Sequence, residues 1–338
     1  MIIHKDFSLN PYNTFGLDIV ANRLAIISTV DDLHALYDNG ELNKSKILIL
    51  SKGSNILFRG HVTGLVLLNE IQGKEVIDED EENIFLKVSA GESWTDLVDF
   101  TVKNGWGGLE NMTDIPGMVG AAPIQNIGAY GAELKDVMVN LEAFDLLTGK
   151  IVEFTNSDCN FGYRSSIFKT THKNRYFITN VIIKLSKEPK INLSYKPLAE
   201  GFAGKLVNEV TIKDVSRKIS EIRNSKLPDP DKFNNAGSFF KNPLVNNNKL
   251  KNLKLVYSSI PSYPADNKYH KVPAAWLIEQ CGWKGKRIGN VGVYEKQALV
   301  LINYGNATGK EILEFANSIQ QSVYKKFGVS LEFEVNVV

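Results

Sequence analysis

One segment, IPGMVGAAPIQNIGAYG at 115–131, constrains what this chain can fold into more than any other. Its seventeen residues are dense in glycine and alanine yet apolar enough to be buried. Small side chains let backbone N–H groups come close to a ligand, and successive N–H groups in such turns form nests suited to a pyrophosphate. A shorter loop at 51–55, SKGSN, follows the continuously apolar run Ile47–Leu50, the pattern of a buried strand. There Gly53, Ser54 and Asn55 offer the same backbone chemistry plus a hydroxyl. Two such loops point to a bound dinucleotide; the alternative reading is tight turns and close helix–strand contacts. The common fingerprints are absent. No G-x-G-x-x-G follows a strand, and GNATGK at 305–310 is one residue short of a P-loop.

A length of 338 residues, 43% hydrophobic and 23% charged, suits two or three domains of a soluble globular protein. Lysine plus arginine (39) nearly cancels aspartate plus glutamate (38), so no global field recruits nucleic acid or an anionic membrane. The first residues, MIIHKDFSLNPYNTFG, lack the pattern of a secretory leader, and no apolar run approaches the ~20 residues of a spanning helix. Cys159 and Cys281 make neither a disulfide framework nor a metal-ligand spacing. The expectation is reduced thiols, no metal and a cytoplasmic address.

Thr29 reads as the cap of a helix ending at Gly40, and Ser93 as the cap of a helix over 94–104 stopped by Gly105. Residues 141–154 and 176–186 read as strands, 192–204 as a loop-rich connection, and 213–224 as a polar helix. Thr308 with Glu311 forms a capping box for the last long helix, which stops at Gly328. Beyond it Leu331, Phe333, Val335 and Val337 alternate with polar residues, as in a strand with one buried face.

Three clusters could carry chemistry. In FGYRSS (161–166), Arg164 beside Tyr163 could clamp a carboxylate through its planar fork, although a solvated surface turn is the simpler reading. In NAGSFFKNP (235–243), Ser238 is presented after small residues as a donor or nucleophile, with no G-x-S-x-G elbow around it. Glu334 sits on the polar side of the terminal strand, where most glutamates are simply solvated. None of the five histidines has an evident Ser or Asp partner, so a hydrolase triad is unsupported.

Three motifs in order, GLENMTDIPGMVGAAPIQNIGAYGAE (108–133), FGYRSSIFK (161–169) and KLPDP…NNAGSFFKNP (226–243), closely resemble the UDP-N-acetylenolpyruvoylglucosamine reductase (MurB) family. The likeness runs from Asn13 to Val335, and the stretch around Tyr195 resembles the substrate-covering loop of the type I branch. The resemblance implies an α+β chain: a two-subdomain FAD-binding fold of the vanillyl-alcohol-oxidase/PCMH type (1–68 and 69–212), then a C-terminal α+β substrate-binding domain (213–338). It implies noncovalent FAD lined by Gly53, Ser54, Asn55, Ile115, Ala121, Ile124, Gly128, Ala129 and Ile178. It gives Ser238 the role of general acid, and Arg164 and Glu334 that of stabilising an enol-like intermediate. Tyr163, Tyr195, Lys226, Asn242 and Gln297 are the implied substrate contacts. The implied reaction is NADPH-dependent reduction of UDP-N-acetylglucosamine enolpyruvate to UDP-N-acetylmuramate in peptidoglycan precursor synthesis. In it, hydride comes from flavin N5 and the proton from Ser238, and the enzyme is a monomer.

Two positions depart from the family. Ser51 stands where members commonly have glycine, and Ala121-Ala122 where some have serines. Missing hydroxyls would leave backbone N–H groups to satisfy the pyrophosphate. The rival readings are an FAD-linked oxidase, many of which tether flavin through a histidine that is absent near Gly53 and Gly117, and a flavin-free sugar-nucleotide binder.

Overall fold

The computed structural model describes residues 2–338. By packing, the chain divides into two compact units. One comprises the N-terminal segment through Phe7, Ala21–Lys52 and Val62–Ser225; the other comprises Ser8–Val20, Gly53–His61 and Lys226–Val338. The boundary expected near residue 212 falls on the first residue of the helix Ile212–Lys226. That helix buries Val215 and Ile219 against Leu198, Phe202 and Val210, which ties it to the residues before it.

The first unit holds two sheets. In the four-stranded sheet the order is Ile3–Ser8, Val20–Ile27, Val62–Asn69, Ile47–Leu50. Val62–Asn69 pairs in parallel with both of its neighbours and is the strand buried along nearly its whole length. Ile47–Leu50 forms as read but lies at an edge, with only Leu50 fully buried. Thr29 caps the helix Val30–Asp38: its hydroxyl accepts from the Asp32 N–H at 3.3 Å while the Asp32 carboxylate accepts from the Thr29 N–H at 2.9 Å. Leu33 and Leu36 on that helix then pack with Leu65, Leu67, Phe144 and Phe177.

The five-stranded sheet is antiparallel, in the order Lys150–Thr155, Met138–Asp145, Tyr176–Ser186, Asn83–Ser89, Lys74–Glu79. The stretch read as one strand over 141–154 is therefore a hairpin. It turns where the N–H groups of Thr148 and Gly149 reach the Asp145 carbonyl at 3.2 and 2.8 Å, with Gly149 at φ +68°. The helix Trp94–Lys103 is capped by Ser93 and followed by Gly105 at φ +79°, as expected. Its Trp94 is buried, and the indole N–H donates to the Met112 carbonyl at 3.1 Å. A short helix, Lys196–Glu200, interrupts the expected loop.

Asp145 is an interior carboxylate of this sheet, 2% exposed. Burial alone pushes its carboxyl up. The paired bonds from Arg175 at 2.8 and 3.3 Å, with the Leu147 N–H at 3.0 Å, outweigh that and hold it below the usual range. A depressed folded-state value contributes stability that is present above the unfolded value of ~3.9 and lost as pH falls through the folded one. Asp145→Asn should therefore cost about 1.5–3 kcal/mol near neutrality, the range for a hydrogen-bonded charge. It should also flatten the acid limb of a stability–pH curve, read by urea unfolding at stepped pH. An unchanged acid limb would contradict this account.

In the second unit the helix Gly309–Phe327 begins with the expected capping box and ends at Gly328 in the left-handed region. A Cβ on Gly309 would lie 1.6 Å from the Phe58 carbonyl oxygen, so only glycine lets the helix start there. In the terminal segment the expected alternation holds only in part: Leu331 and Val335 are buried and Glu332 exposed, while Phe333, Glu334, Asn336 and Val337 are all half-buried. As a strand, however, it is short. Only Asn336–Val337 pairs, in parallel with Ile56–Leu57, and 331–335 instead meets Phe240 through a single bridge at Phe333. The helices Asn247–Val256 and Ala274–Gln280, not read from the sequence, complete this unit with two small three-stranded sheets.

Candidate active site

In the second unit the turn at 53–55 and the Ser238 segment converge on the C-terminal residues. Gly53 has φ +64°, and a Cβ there would lie 1.9 Å from the Tyr12 carbonyl oxygen. The Asn55 carbonyl accepts from the Asn336 backbone N–H at 3.0 Å and from its side-chain amide at 3.1 Å. The Asn55 amide reaches the Glu334 carbonyl at 3.4 Å. Ser238 follows a tight turn in which the Asn235 side chain accepts from the Gly237 N–H at 2.9 Å, with Gly237 at φ +67°. Hydrogen bonds from Phe239 N–H to the Leu299 carbonyl (2.8 Å) and from Glu334 N–H to the Phe239 carbonyl (2.9 Å) then place this segment between 297–300 and 332–334.

The fold thus brings Asn55, Ser238, Gln297 and Glu334 onto neighbouring strands of chain. Gln297 shapes its own turn, its carbonyl accepting from Val300 N–H at 3.1 Å. Asn242 lies four residues beyond Ser238, and its side-chain oxygen accepts from the Ala274 N–H at 2.9 Å. It thereby caps a helix whose own N-cap, Pro273, offers no side-chain bond. Lys226 is exposed at the end of its helix, and no hydrogen bond among the described residues ties it to this group.

The first unit carries the long loop. Val119 N–H and Gly120 N–H donate to the carbonyls of Glu92 (2.9 Å) and Ala90 (2.8 Å), and a Cβ on Gly120 would lie 2.5 Å from the Ala90 Cβ. The loop is therefore laid directly on the sheet. Ala121 N–H and Ala122 N–H are spent within the following turn, on Met118 and Val119 carbonyls at 3.0 Å each. These two N–H groups are therefore not free to face a ligand. By contrast, the N–H groups of Gly117 and Met118 have no protein acceptor among the described residues. A pair of adjacent donors of this kind suits a phosphate oxygen. Ile115, Ile124 and Ala129 are half-buried along the loop, Gly128 is buried, and Ile178 is only 2% exposed in the strand beneath.

Arg164 is not a solvated surface residue. Gly162 and Ser165 exchange backbone hydrogen bonds at 3.0 and 3.2 Å, leaving Tyr163 and Arg164 as a two-residue turn. Arg164 takes φ +53°, its guanidinium lies 5.7 Å from the Tyr163 ring centre, and one nitrogen donates to the Gly128 carbonyl at 2.7 Å. The turn is fastened to the long loop twice more, by Ser166 hydroxyl to the Ile124 carbonyl (2.7 Å) and Asn126 amide to the Gly162 carbonyl (3.3 Å).

Sequence reasoning missed Asn111, Asn126 and Tyr130. Asn111 is 2% exposed and its amide donates to the carbonyls of Tyr130 (2.8 Å) and Asn192 (3.0 Å). Tyr130, at φ +50°, packs edge-on against Tyr195 with ring centres 5.1 Å apart. Burial pushes the Tyr130 hydroxyl up, partly offset by the positive charge of Arg223. Asn111 lies among Glu110, Thr113 and Asp114, and Asn126 follows Gln125, so neither asparagine stood out in the sequence as a buried polar group. Cys159 is buried and its thiol is pushed up to about 12 by burial, which leaves it inert as a nucleophile. No cluster of three or more His, Cys, Asp or Glu fit for a metal exists among the described residues.

A loop of small residues laid on a sheet, with adjacent unspent N–H donors at Gly117 and Met118, is suited to a phosphate-bearing ligand. Residues 21–155 match the family described as FAD binding domain, and residues 229–338 match the C-terminal domain of UDP-N-acetylenolpyruvoylglucosamine reductase. The UDP-N-acetylenolpyruvoylglucosamine reductase of Flavobacterium johnsoniae is 45% identical over the whole of both chains. That of Pseudomonas aeruginosa is 42% identical over 99% of this chain and 98% of its own. The solved MurB from Thermus caldophilus shares the fold, with a TM-score of 0.70 at 22% identity over 100% of this chain and 99% of that one. The chain belongs to the UDP-N-acetylenolpyruvoylglucosamine reductase (MurB) family. It is a flavin oxidoreductase with FAD as its cofactor, and the expected α+β fold class holds.

Proposed function

We propose that this enzyme reduces UDP-N-acetylglucosamine enolpyruvate to UDP-N-acetylmuramate at the expense of NADPH, a step of peptidoglycan precursor synthesis. The observation that carries the reading furthest is the full-length identity of 45% to a named reductase. The local geometry of each unit supports it. FAD, when bound, supplies hydride transfer between NADPH and the substrate. Gly117 and Met118 fit a phosphate group, and Gly53, Ser54, Asn55, Ile115, Ala121, Ile124, Gly128, Ala129 and Ile178 are the proposed lining.

Reduction of the enolpyruvyl ether builds negative charge on the carbon next to the carboxylate. Arg164 is assigned to hold that carboxylate as the charge grows, where a preorganised cation helps most. Its bond to the Gly128 carbonyl supports this by fixing the guanidinium in advance. Ser238 is assigned to deliver the proton. A carbanion-like centre is basic enough for a hydroxyl to serve, so no histidine is required. Glu334 is the second group assigned to the enol-like species, and its backbone bond to Phe239, the neighbour of Ser238, supports the pairing of the two. Tyr163, Tyr195, Lys226, Asn242 and Gln297 are the proposed substrate contacts. The reading extends, on family resemblance, to a monomer acting in the cytoplasm.

The test is NADPH consumption by the yellow, FAD-loaded protein. Consumption should depend on the enolpyruvyl sugar nucleotide and yield a product two hydrogens heavier. Equal consumption with and without that substrate would sink the proposal.

A further inference from the structure

Asn126 is 0% exposed, and nothing in the proposed function gives it a role. A buried asparagine needs partners for its amide donors and its acceptor oxygen. Here the amide donates to the Glu133 carboxylate at 2.9 Å and to the Gly162 carbonyl at 3.3 Å, and the oxygen accepts from the Lys135 N–H at 3.0 Å. The Glu133 carboxylate is itself held by the Lys135 ammonium at 3.0 Å. Asn126 takes φ +46°, a left-handed conformation that asparagine tolerates better than most residues.

These bonds close a ring around Arg164. Gly162 opens the turn that carries it, and the Gly162 carbonyl accepts from the Ser165 N–H at 3.2 Å as well as from Asn126. Two residues after Asn126, the Gly128 carbonyl accepts from the Arg164 guanidinium at 2.7 Å. Gly128 pairs in register with Glu133, and the Leu134 N–H donates to the Ile127 carbonyl at 2.8 Å, so 126–128 is fastened to 133–135 along its length. The segment 126–128 therefore grips Arg164 at both ends, the start of its turn through Asn126 and its charged head through Gly128. Arg164 itself, at φ +53°, occupies a turn position that favours glycine or asparagine. Such a conformation persists where its surroundings over-determine it, and it points to placement of the side chain as the reason. The Ser166 hydroxyl holds the far side of the turn, at Ile124, and Asn126 holds the near side.

We propose that Asn126 is a positioning residue for the reaction: it sets where the Arg164 guanidinium stands, by holding the Gly162 end of the turn at a fixed distance from the Gly128 anchor. The inference rests on the assignment of Arg164 to the substrate carboxylate. Other polar side chains do not reproduce the arrangement. Aspartate keeps the shape and the Lys135 bond, but it would turn an acceptor toward the Glu133 carboxylate and the Gly162 carbonyl. Serine has a single donor for the two acceptors. A misplacement of about 1 Å in a group that aims at reacting atoms costs on the order of 10²-fold in rate.

Asn126→Gly removes the amide and suits the left-handed backbone, so the segment can keep its path. In the FAD-loaded variant, bleaching of the flavin by NADPH should be nearly unchanged, while reoxidation by the enolpyruvyl substrate slows about 10²-fold. In an Arg164→Ala background the same substitution should slow reoxidation by less than about threefold more, because a residue that acts through Arg164 has nothing left to act on. Full multiplication of the two losses would overturn the inference and make Asn126 a residue of the fold alone. A second measurement does not use the reaction. In NMR of the FAD-loaded enzyme with isotope-labelled arginine, the Arg164 signal is assigned by its loss in Arg164→Ala. Its Nη groups should rotate slowly in the wild type and average rapidly in both Asn126→Gly and Asn126→Asp. An Arg164 signal unaltered in both variants would overturn the proposal whatever the kinetics. A wild-type enzyme that the substrate fails to reoxidise would instead sink the reductase reading, and the arginine signal would then decide whether Asn126 positions Arg164.

Discussion

Ser238→Ala should leave bleaching of the flavin by NADPH nearly unchanged while reoxidation by the enolpyruvyl substrate slows about 10²–10⁴-fold, the usual worth of a positioned general acid. The two half-reactions separate the roles because only the second needs a proton delivered to carbon. Local geometry makes the substitution clean. Ser238 is held by its backbone, through the Asn235 turn before it and the Phe239 bonds after it. Loss of the hydroxyl therefore leaves the segment in place. Stopped-flow absorbance of the flavin band measures both steps. Equal slowing of the two would make Ser238 a binding or structural residue, and unchanged reoxidation would assign the acid elsewhere.

The parts of this fold that were legible in the sequence are those fixed by local chemistry. Thr308 with Glu311 and Gly328 bracket a helix through bonds made within one turn of each end, so the sequence contains every partner needed to read them. The same holds for Thr29 with Asp32, and for Ser93 with Gly105. Residues 141–154 were misread as one strand because the hairpin depends on Gly149 and the Asp145 carbonyl, in a run whose apolar content barely falls. The terminal strand shows the opposite failure. Its alternation holds at Leu331, Glu332 and Val335 but not beyond, because burial and strand length depend on a partner, and here the partners are distant segments, Ile56–Leu57 and Phe240. No period in 331–337 encodes that.

The candidate site divides along the same line. Glycines of the 115–131 loop announced a close backbone approach, and Gly120 against Ala90 is one. Which N–H groups remain for a ligand was not legible, since Ala121 and Ala122 lose theirs to a short turn that composition does not specify. Arg164 read as a solvated turn residue because its anchor, the Gly128 carbonyl, lies 36 positions away. Glu334 read as a solvated glutamate for the same reason: its link to the Ser238 segment is a backbone bond between residues nearly a hundred positions apart. Recognition of the family supplied these assignments where local pattern left them open.

Gly53→Ala should be the most damaging single-methyl change in the turns assigned to the flavin, and comparison with Gly40→Ala shows why. Both glycines sit in the left-handed region, at φ +64° and +66°, so both substitutions carry the same backbone strain of roughly 1 kcal/mol. Around Gly40 nothing lies within 4 Å of the added carbon, whereas at Gly53 it would lie 1.9 Å from the Tyr12 carbonyl oxygen and 3.1 Å from the Asn13 Cα. That oxygen is backbone and cannot swing aside. Asn13 behind it is buried, and its amide is fixed to the Leu9 and Leu17 carbonyls at 2.9 and 3.0 Å. The clash must therefore be relieved by the 53–55 turn itself, which would drag Asn55 from its bonds to Asn336. Gly40→Ala should cost about 1 kcal/mol and leave flavin content unchanged. Gly53→Ala should cost about 3 kcal/mol or more and purify with little FAD, because the turn that moves is the one assigned to the flavin. Thermal unfolding and the ratio of flavin to protein absorbance read both quantities on the same sample. If the two variants retain FAD equally, the 51–55 turn does not hold the flavin, and the close contact at Tyr12 serves the fold alone.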